Sequence, residues 1–363
     1  MYCLGRDLTG ISSILSEFAI SDYDESHIGR RSEPFMTKVD QSAVEKVAYA
    51  SGCAVPWHTS AEQLSNGNVV QPIAAIPFYW YLVNNTPTYR AYETTYVMGD
   101  VMKQNDAHLH TGDDYRYYEP ITVGDTITVV CELSKVYEKQ GRQGRMKFIE
   151  DIWEFRNQRN VLVGDLVRKA VTIYAEGTSP QPKPDFGPDL AEKTRCEVKT
   201  LPRRAWDHPD SVVDLFDGKE HAYRQELGPI TWTSMIQWMG AVDDYAKTHY
   251  DWDYARERGF PGGVPITAGP QMGAAMLAPL VAWAGRNGWI EEFRHIQRRQ
   301  VNPGDVLTTY GFSKPTEDPD RVVVEAWLVD DQNRIRNTGV FTVRRWTDAP
   351  VGPASRLWTA RSK

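Results

Sequence analysis

An approximate duplication on either side of a proline-rich stretch constrains this chain most. Before that stretch, Pro120-Ile-Thr-Val-Gly124-Asp125-Thr-Ile-Thr-Val precedes Ile152-Trp153-Glu-Phe-Arg-Asn-Gln158. After it, Gln300-Val-Asn-Pro-Gly304-Asp305-Val-Leu-Thr-Thr precedes Ala326-Trp327-Leu-Val-Asp-Asp-Gln332. In both places a Gly-Asp turn opens an alternating strand, and a second strand, a polar turn and a third strand follow. Glycine and glutamine are 34 residues apart in one copy and 28 in the other, so the copies differ in loop length while keeping element order. Two similar units in tandem are therefore expected.

The stretch between them, Glu176 to Pro188, contains four prolines and two glycines and can continue neither a helix nor a central strand. It reads as an extended linker. The resulting division is an arm at 1–30, a first unit at 31–178, the linker at 179–198, a second unit at 199–350 and a tail at 351–363. Upstream of each strand set lies one candidate helix. From Gly269 to Trp283, apolar residues recur at Met272, Met276, Leu280 and Trp283, near the helical period. Pro270 suits the first turn, where a missing N–H costs nothing. Gly273, Ala274 and Ala275 let a sheet approach closely. The counterpart in the first unit is the bulkier Pro77-Phe-Tyr-Trp-Tyr-Leu-Val83, whose aromatics read as core. One helix followed by antiparallel strands, twice over, is an α+β pattern.

Bulk properties exclude several classes. The net charge of −7 argues against nucleic acid or an anionic membrane as partner. Met276 to Ala284, the longest apolar stretch, is too short to span a bilayer and contains a proline. Cys3, Cys53, Cys131 and Cys196 are scattered without a C-x-x-C, which reads as reduced thiols. Met1 to Arg6 carry no basic stretch leading into an apolar core, so no secretory signal is expected. The expectation is a cytoplasmic protein with no membrane contact.

For chemistry, the second unit offers Asp244-Tyr-Ala-Lys-Thr-His249-Tyr-Asp251, then Gly259, then Thr267-Ala-Gly269-Pro270. Spacing alone leaves two readings open. Asp244 can be a cap or ion-pair member beside a surface histidine, with Asp243-Asp244 a solvated acidic turn. Alternatively, carboxylate and neutral imidazole share one water, one accepting its proton and the other donating, while the Gly269 N–H at a helix start faces developing negative charge. Asp251 is positioned to cap a short helix stopped by Gly259. His108-Leu-His110 puts two imidazoles on one strand face, but no third ligand is apparent and no metal is expected.

These residues resemble the MaoC-like dehydratases, the R-specific enoyl-thioester hydratases of the double hot-dog type. Asp244, His249, Asp251, Ala255, Gly259-Phe260 and Gly269 follow the order of the family motif, and Asn302-Pro-Gly-Asp305 matches its strand-opening turn. The resemblance covers about residues 228 to 345. Ala246-Lys247 replace the family's Asn-Pro, and Ala268 replaces the histidine common before the helix glycine. The first unit resembles the degenerate hot-dog of double-domain members. Its Gly52-Cys53-Ala-Val-Pro56-Trp-His58 keeps proline and histidine but has Cys53 for aspartate, so His58 is expected to be structural and this unit to build the acyl pocket.

The resemblance implies two tandem hot-dog domains, each an antiparallel sheet wrapped around a central helix. It implies hydration of a trans-2-enoyl thioester or dehydration of a 3-hydroxyacyl thioester, with Asp244, His249 and Gly269 catalytic. No cofactor is implied beyond the coenzyme A or acyl carrier protein of the substrate. Arg298, in Arg294-His-Ile-Gln-Arg298-Arg299, is a candidate contact for that carrier, and Arg142 with Arg145 form another cluster. A homodimer is left open. A non-catalytic acyl-binding or partner subunit is the competing reading. A hot-dog thioesterase is disfavoured because Gly269 to Trp283 carries no carboxylate.

Overall fold

The computed structural model describes residues 25–54, 62–63, 69–70, 108–175 and 186–345, apart from positions 120, 142–143, 188, 190–192, 195, 204, 206–207, 258–259 and 286–287. The expected Pro77–Val83 helix, most of the linker and the tail lie outside the described residues, as do His58 and Arg142.

In the first half, β1 (Phe35–Lys38) leads into helix α1 (Gln41–Ser51), and the two-residue strands β2 (Glu62–Gln63) and β3 (Val69–Val70) pair apart from the main sheet. The long strands β4 (His108–Tyr117), β5 (Thr126–Gly141), β6 (Gly144–Arg156) and β7 (Leu162–Ala175) follow. The second half contains β8 (Val198–Leu201), β9 (His221–Pro229), helices α2 (Trp232–Val242), α3 (Trp252–Glu257) and α4 (Gly269–Ala284), then β10 (Gly288–Gln297), β11 (Val306–Pro315), β12 (Arg321–Asp330) and β13 (Ile335–Arg345). Together they form one eleven-stranded sheet in the order β1-β5-β6-β7-β4-β10-β13-β12-β11-β9-β8. The seam between halves is the antiparallel β4–β10 pair. No helix among the described residues is long and apolar enough to cross a membrane.

Local sequence explains these elements. In β12 the alternation buries Val322, Val324, Ala326 and Leu328 on one face, the pattern of a half-buried antiparallel strand. Helix α4 is apolar all round, and every residue in it except Ala275 is buried. It touches β4, β10, β11, β12, β13 and α1, so the sheet wraps around it. Each fully buried Leu, Met or Trp along it, such as Met276, Leu280 and Trp283, stabilises the fold by roughly 1.5–3 kcal/mol. Buried apolar residues of both halves form one continuous core.

The duplication holds at the level of single hydrogen bonds. Gly124 and Gly304 both have positive φ, at 99° and 94°. Asp125 Oδ2 accepts from the Thr122 N–H (2.9 Å), as Asp305 Oδ2 does from the Asn302 N–H (3.0 Å). The Gly124 N–H donates to the Val39 carbonyl and the Gly304 N–H to the Ile230 carbonyl, both at 2.8 Å. Each turn thereby ties down the residue before an eleven-residue helix, α1 or α2. Asp40 caps α1 through the Ala43 N–H, and Thr231 with Ser234 forms a reciprocal capping box on α2. The two helices pack on each other.

Candidate functional site

Helix α2 ends at Asp243, whose backbone is left-handed (φ 52°), and the Asp244 N–H returns to the Met239 carbonyl (3.0 Å). A 3-10 turn over Lys247–His249 follows, pinned by the Ile266 N–H on the Thr248 carbonyl (3.0 Å). His249 Nδ1 lies 2.8 Å from the Ile266 carbonyl. A carbonyl only accepts, so Nδ1 carries the proton and Nε2 of the neutral ring keeps its lone pair. Nε2 stands 3.6 Å from Asp244 Oδ2, and the two side chains are 13% and 12% exposed. That separation exceeds a direct hydrogen bond and leaves the carboxylate and the Nε2 lone pair as two neighbouring acceptors.

Gly269 begins α4 three residues after Ile266, where N–H groups lack an intrahelical acceptor. The N-cap residue, Ala268, makes no side-chain capping bond. The structure thus brings Asp244 and His249 into one pair and places the Gly269 end of α4 directly after the segment that orients the imidazole. Asp251 caps α3, accepting from the Tyr254 N–H (3.0 Å). Arg298 is exposed at the end of β10, its N–H on the Arg336 carbonyl (2.9 Å). Arg145 pairs with Glu138 on the surface (3.3 Å). A groove of about 670 Å³ over β9, β11 and β12 is lined by Arg224, Tyr310 and Asp331 and includes none of Asp244, His249 and Gly269.

The first half supplies the comparison within the same chain. Gly52 ends α1 with φ 73°, and the Cys53 N–H returns to the Ala48 carbonyl (2.8 Å). The positions run in parallel, 243 − 52 and 244 − 53 both equalling 191, so Cys53 stands where Asp244 does, and His58, which has the same offset from His249 in the sequence, lies outside the described residues. Cys53 is buried, and burial pushes its thiol up to about 12 against a weaker opposing contact from Ser51. It cannot replace a carboxylate anion.

At the seam His110 meets Asp113, His295 and Gln297, to which the sequence reading gave no role. Asp113, on β4, accepts from His110 Nε2 (2.8 Å) and His295 Nε2 (2.9 Å). Three residues along a regular strand would put His110 and Asp113 on opposite faces. A bulge between His110 and Gly112 brings them together. Gly112 has to be glycine, because a Cβ there would overlap the His295 carbonyl. Burial alone would raise the Asp113 carboxyl, but the hydrogen bonds from His110 and His295 hold it well below the carboxylate range. Burial pushes His295 down despite the opposing pull of Asp113. On the far side of His110, Gln297 Nε2 lies 2.6 Å from Nδ1. The Gln297 amide rests against Gly269, and a Cβ at 269 would overlap its Nε2, Cδ and Oε1. The only sequence signal for this cluster was His110, since the contacts join residues more than 180 positions apart.

Comparison with solved structures places this architecture. A MaoC-like dehydratase superposes with a TM-score of 0.63 at 17% identity, over 89% of this chain and 99% of the other. A conserved Mycobacterium tuberculosis protein with a double hot-dog fold superposes at 0.55 with 12% identity, over 88% and 96%. This chain has the double hot-dog fold of the MaoC-like dehydratases. The MaoC-like dehydratase from Phytophthora capsici gives 0.56 at 15% identity, over 90% and 99%. A sequence model of the FAS1-like dehydratase domain region matches residues 26–166, in the first half. No curated protein matches the sequence. The MaoC-like resemblance read from the sequence therefore holds, and so does the α+β tandem hot-dog architecture. The two sheets differ from isolated units in being joined edge to edge at β4–β10.

Proposed function

We propose that this chain is a hydro-lyase that reversibly hydrates a trans-2-enoyl thioester, or dehydrates the corresponding 3-hydroxyacyl thioester, at one centre in the second half. The observation that carries the reading is the Asp244–His249 pair, 3.6 Å apart with the imidazole tautomer set by Ile266. In hydration, His249 Nε2 takes a proton from the bound water as its oxygen forms a bond to the β-carbon. Asp244 orients that water and relays the proton taken up by His249 to the α-carbon, so the water is added across the double bond as H and OH and both side chains return to their starting state. Negative charge that develops on the thioester oxygen meets the Gly269 N–H at the positive end of α4. General acid–base groups of this kind contribute typically ~10²–10⁴-fold in rate. Dehydration retraces the same steps.

The reaction calls for no metal or redox cofactor, and coenzyme A or an acyl carrier protein enters as part of the substrate. Arg298, one residue beyond the Gln297 that rests on Gly269, is the proposed carrier contact. The test is incubation with crotonyl-CoA and with a longer enoyl-CoA. Hydration that is lost in Asp244→Asn and His249→Ala supports the reading. Release of free thiol would indicate a thioesterase, and no turnover a binding subunit.

A further inference from the structure

We propose that Gln297 is a second oxyanion donor beside Gly269, aimed by a hydrogen-bonded chain reaching in from the first hot-dog half. The inference rests on the hydro-lyase reading above. Asp113 is a buried anion that can only accept. His110 Nε2 and His295 Nε2 must therefore both donate to it. At the far side of His295, the Asn337 amide lies 3.4 Å from Nδ1, which suits a ring protonated at Nε2 alone. Gln297 Nε2, which can only donate, lies 2.6 Å from His110 Nδ1, so Nδ1 accepts and the ring carries its hydrogen on Nε2. One of the two Nε2 hydrogens goes to His110. The second has no partner among the described residues and lies against Gly269, the residue whose N–H opens α4. Two N–H groups from different elements, one on half-buried Gln297 and one at the start of α4, make a donor pair for one oxygen.

The symmetry of the seam points the same way. β4 and β10 exchange under a shift of 180 residues: Asp114 pairs with Arg294, and the flanking pairs Gly112–Ile296 and Arg116–Glu292 match. Under that shift His110, Asp113, His295 and Gln297 fall on Ile290, Phe293, Tyr115 and Tyr117. The mate of the polar cluster is thus an apolar stack, with Tyr115 and Phe293 rings 5.8 Å apart. A seam needed only for packing has no use for polar groups at one end alone. The polar end is the one that reaches Gly269.

Gln297 is the proposed catalytic residue, and His110, Asp113 and His295 are positioning residues. Gln297→Met keeps the length of the side chain without a donor. Its kcat for crotonyl-CoA hydration is expected to fall about 100-fold, with KM changed less than about threefold and a melting temperature lowered by no more than the loss of one hydrogen bond. His110→Ala, which frees the amide, should lower kcat about tenfold. Gln297→Glu should lose kcat as a carboxylate, and its kcat relative to the wild type at the same pH should rise as the pH is lowered, because only the protonated acid carries a donor. A merely structural role would give none of that recovery. Retention of wild-type kcat within about threefold in Gln297→Met overturns the inference while leaving the hydro-lyase reading intact. If Gln297→Met fails to fold, the same bound on His110→Ala decides. A wild-type chain without hydration overturns both.

Discussion

Replacing Gly269 by alanine separates its packing role from its chemical one. The new Cβ would occupy the space held by the Gln297 amide, so the side chain has to swing away from His110. Gln297 is half-buried at the end of β10 and has room to move outward. The hydrogen bond lost to His110 costs about 0.5–1.5 kcal/mol. Against this, Gly269 is not among the glycines with positive φ, so alanine fits the backbone and stabilises by about 0.4–1 kcal/mol through the unfolded chain. These two terms nearly cancel, and Gly269→Ala should unfold in urea within about 1 kcal/mol of the wild type. Turnover should behave differently. Displacement of the amide and crowding of the Gly269 N–H remove the oxyanion contacts, and the loss of one such donor lowers kcat by about 10²–10³-fold. Crotonyl-CoA hydration, followed as loss of enoyl-thioester absorbance, gives the rate, and urea denaturation gives the stability. A variant that keeps kcat within about threefold would show that glycine serves only to make room for Gln297, and the oxyanion assignment would fail.

Two further outcomes concern stability. The unfolded chain takes up a proton on each histidine as the pH falls through about 6.5, whereas buried His295 resists it. The unfolded state then binds more protons, so stability should fall on acidification from that point by up to about 1.4 kcal/mol per pH unit. Asp113, held low, adds a second loss only at more acidic pH, below the ordinary carboxylate value. Urea midpoints measured from about pH 7 to about pH 5 should show this slope, and His295→Gln should flatten it by one proton. Asp330 is the hub of the β12–β13 turn, accepting from the N–H groups of Gln332 (3.0 Å) and Arg334 (2.9 Å) and from Nε of Arg334 (2.6 Å) and Arg336 (3.0 Å). Asp330→Ala leaves Arg336 largely buried without this partner and should cost about 3 kcal/mol in denaturation, with kcat unchanged below the transition.

What was legible in the sequence was what short-range chemistry encodes. The two Gly-Asp turns could be read because a positive-φ glycine and a carboxylate closing on the N–H three residues back are local requirements, and the structure repeats them bond for bond. Helix α4 could be read because its apolar residues recur at helical spacing after a proline suited to the first turn. Helices α1 and α2 carried a comparable signal that went unused. Asp40 and Thr231 stand at N-cap positions, and Val44, Val47, Ala48 and Ser51, like Met235, Trp238, Met239 and Val242, line one buried face. The placing of Cys53 at the aspartate position came from the resemblance of Gly52 to His58 to the motif, and the Cys53 and Asp244 N–H groups make matching returns to the Ala48 and Met239 carbonyls. The seam was not legible. His110, Asp113, His295 and Gln297 meet only through the β4–β10 register and a bulge, neither of which leaves a periodic trace in one sequence. The sequence marked Gly269 as a donor, and only the structure shows what else requires it to be glycine.

The central claim is that Asp244 and His249 act on one water as a unit. Single-turnover hydration of crotonyl-CoA by the wild type, Asp244→Asn, His249→Ala and the double variant tests it most directly. Groups that work as a unit lose rate non-additively, so each single variant should fall by about 10²–10⁴-fold and the double variant little further, with all four chains folded. Hydration at the wild-type rate in either single variant would contradict the account.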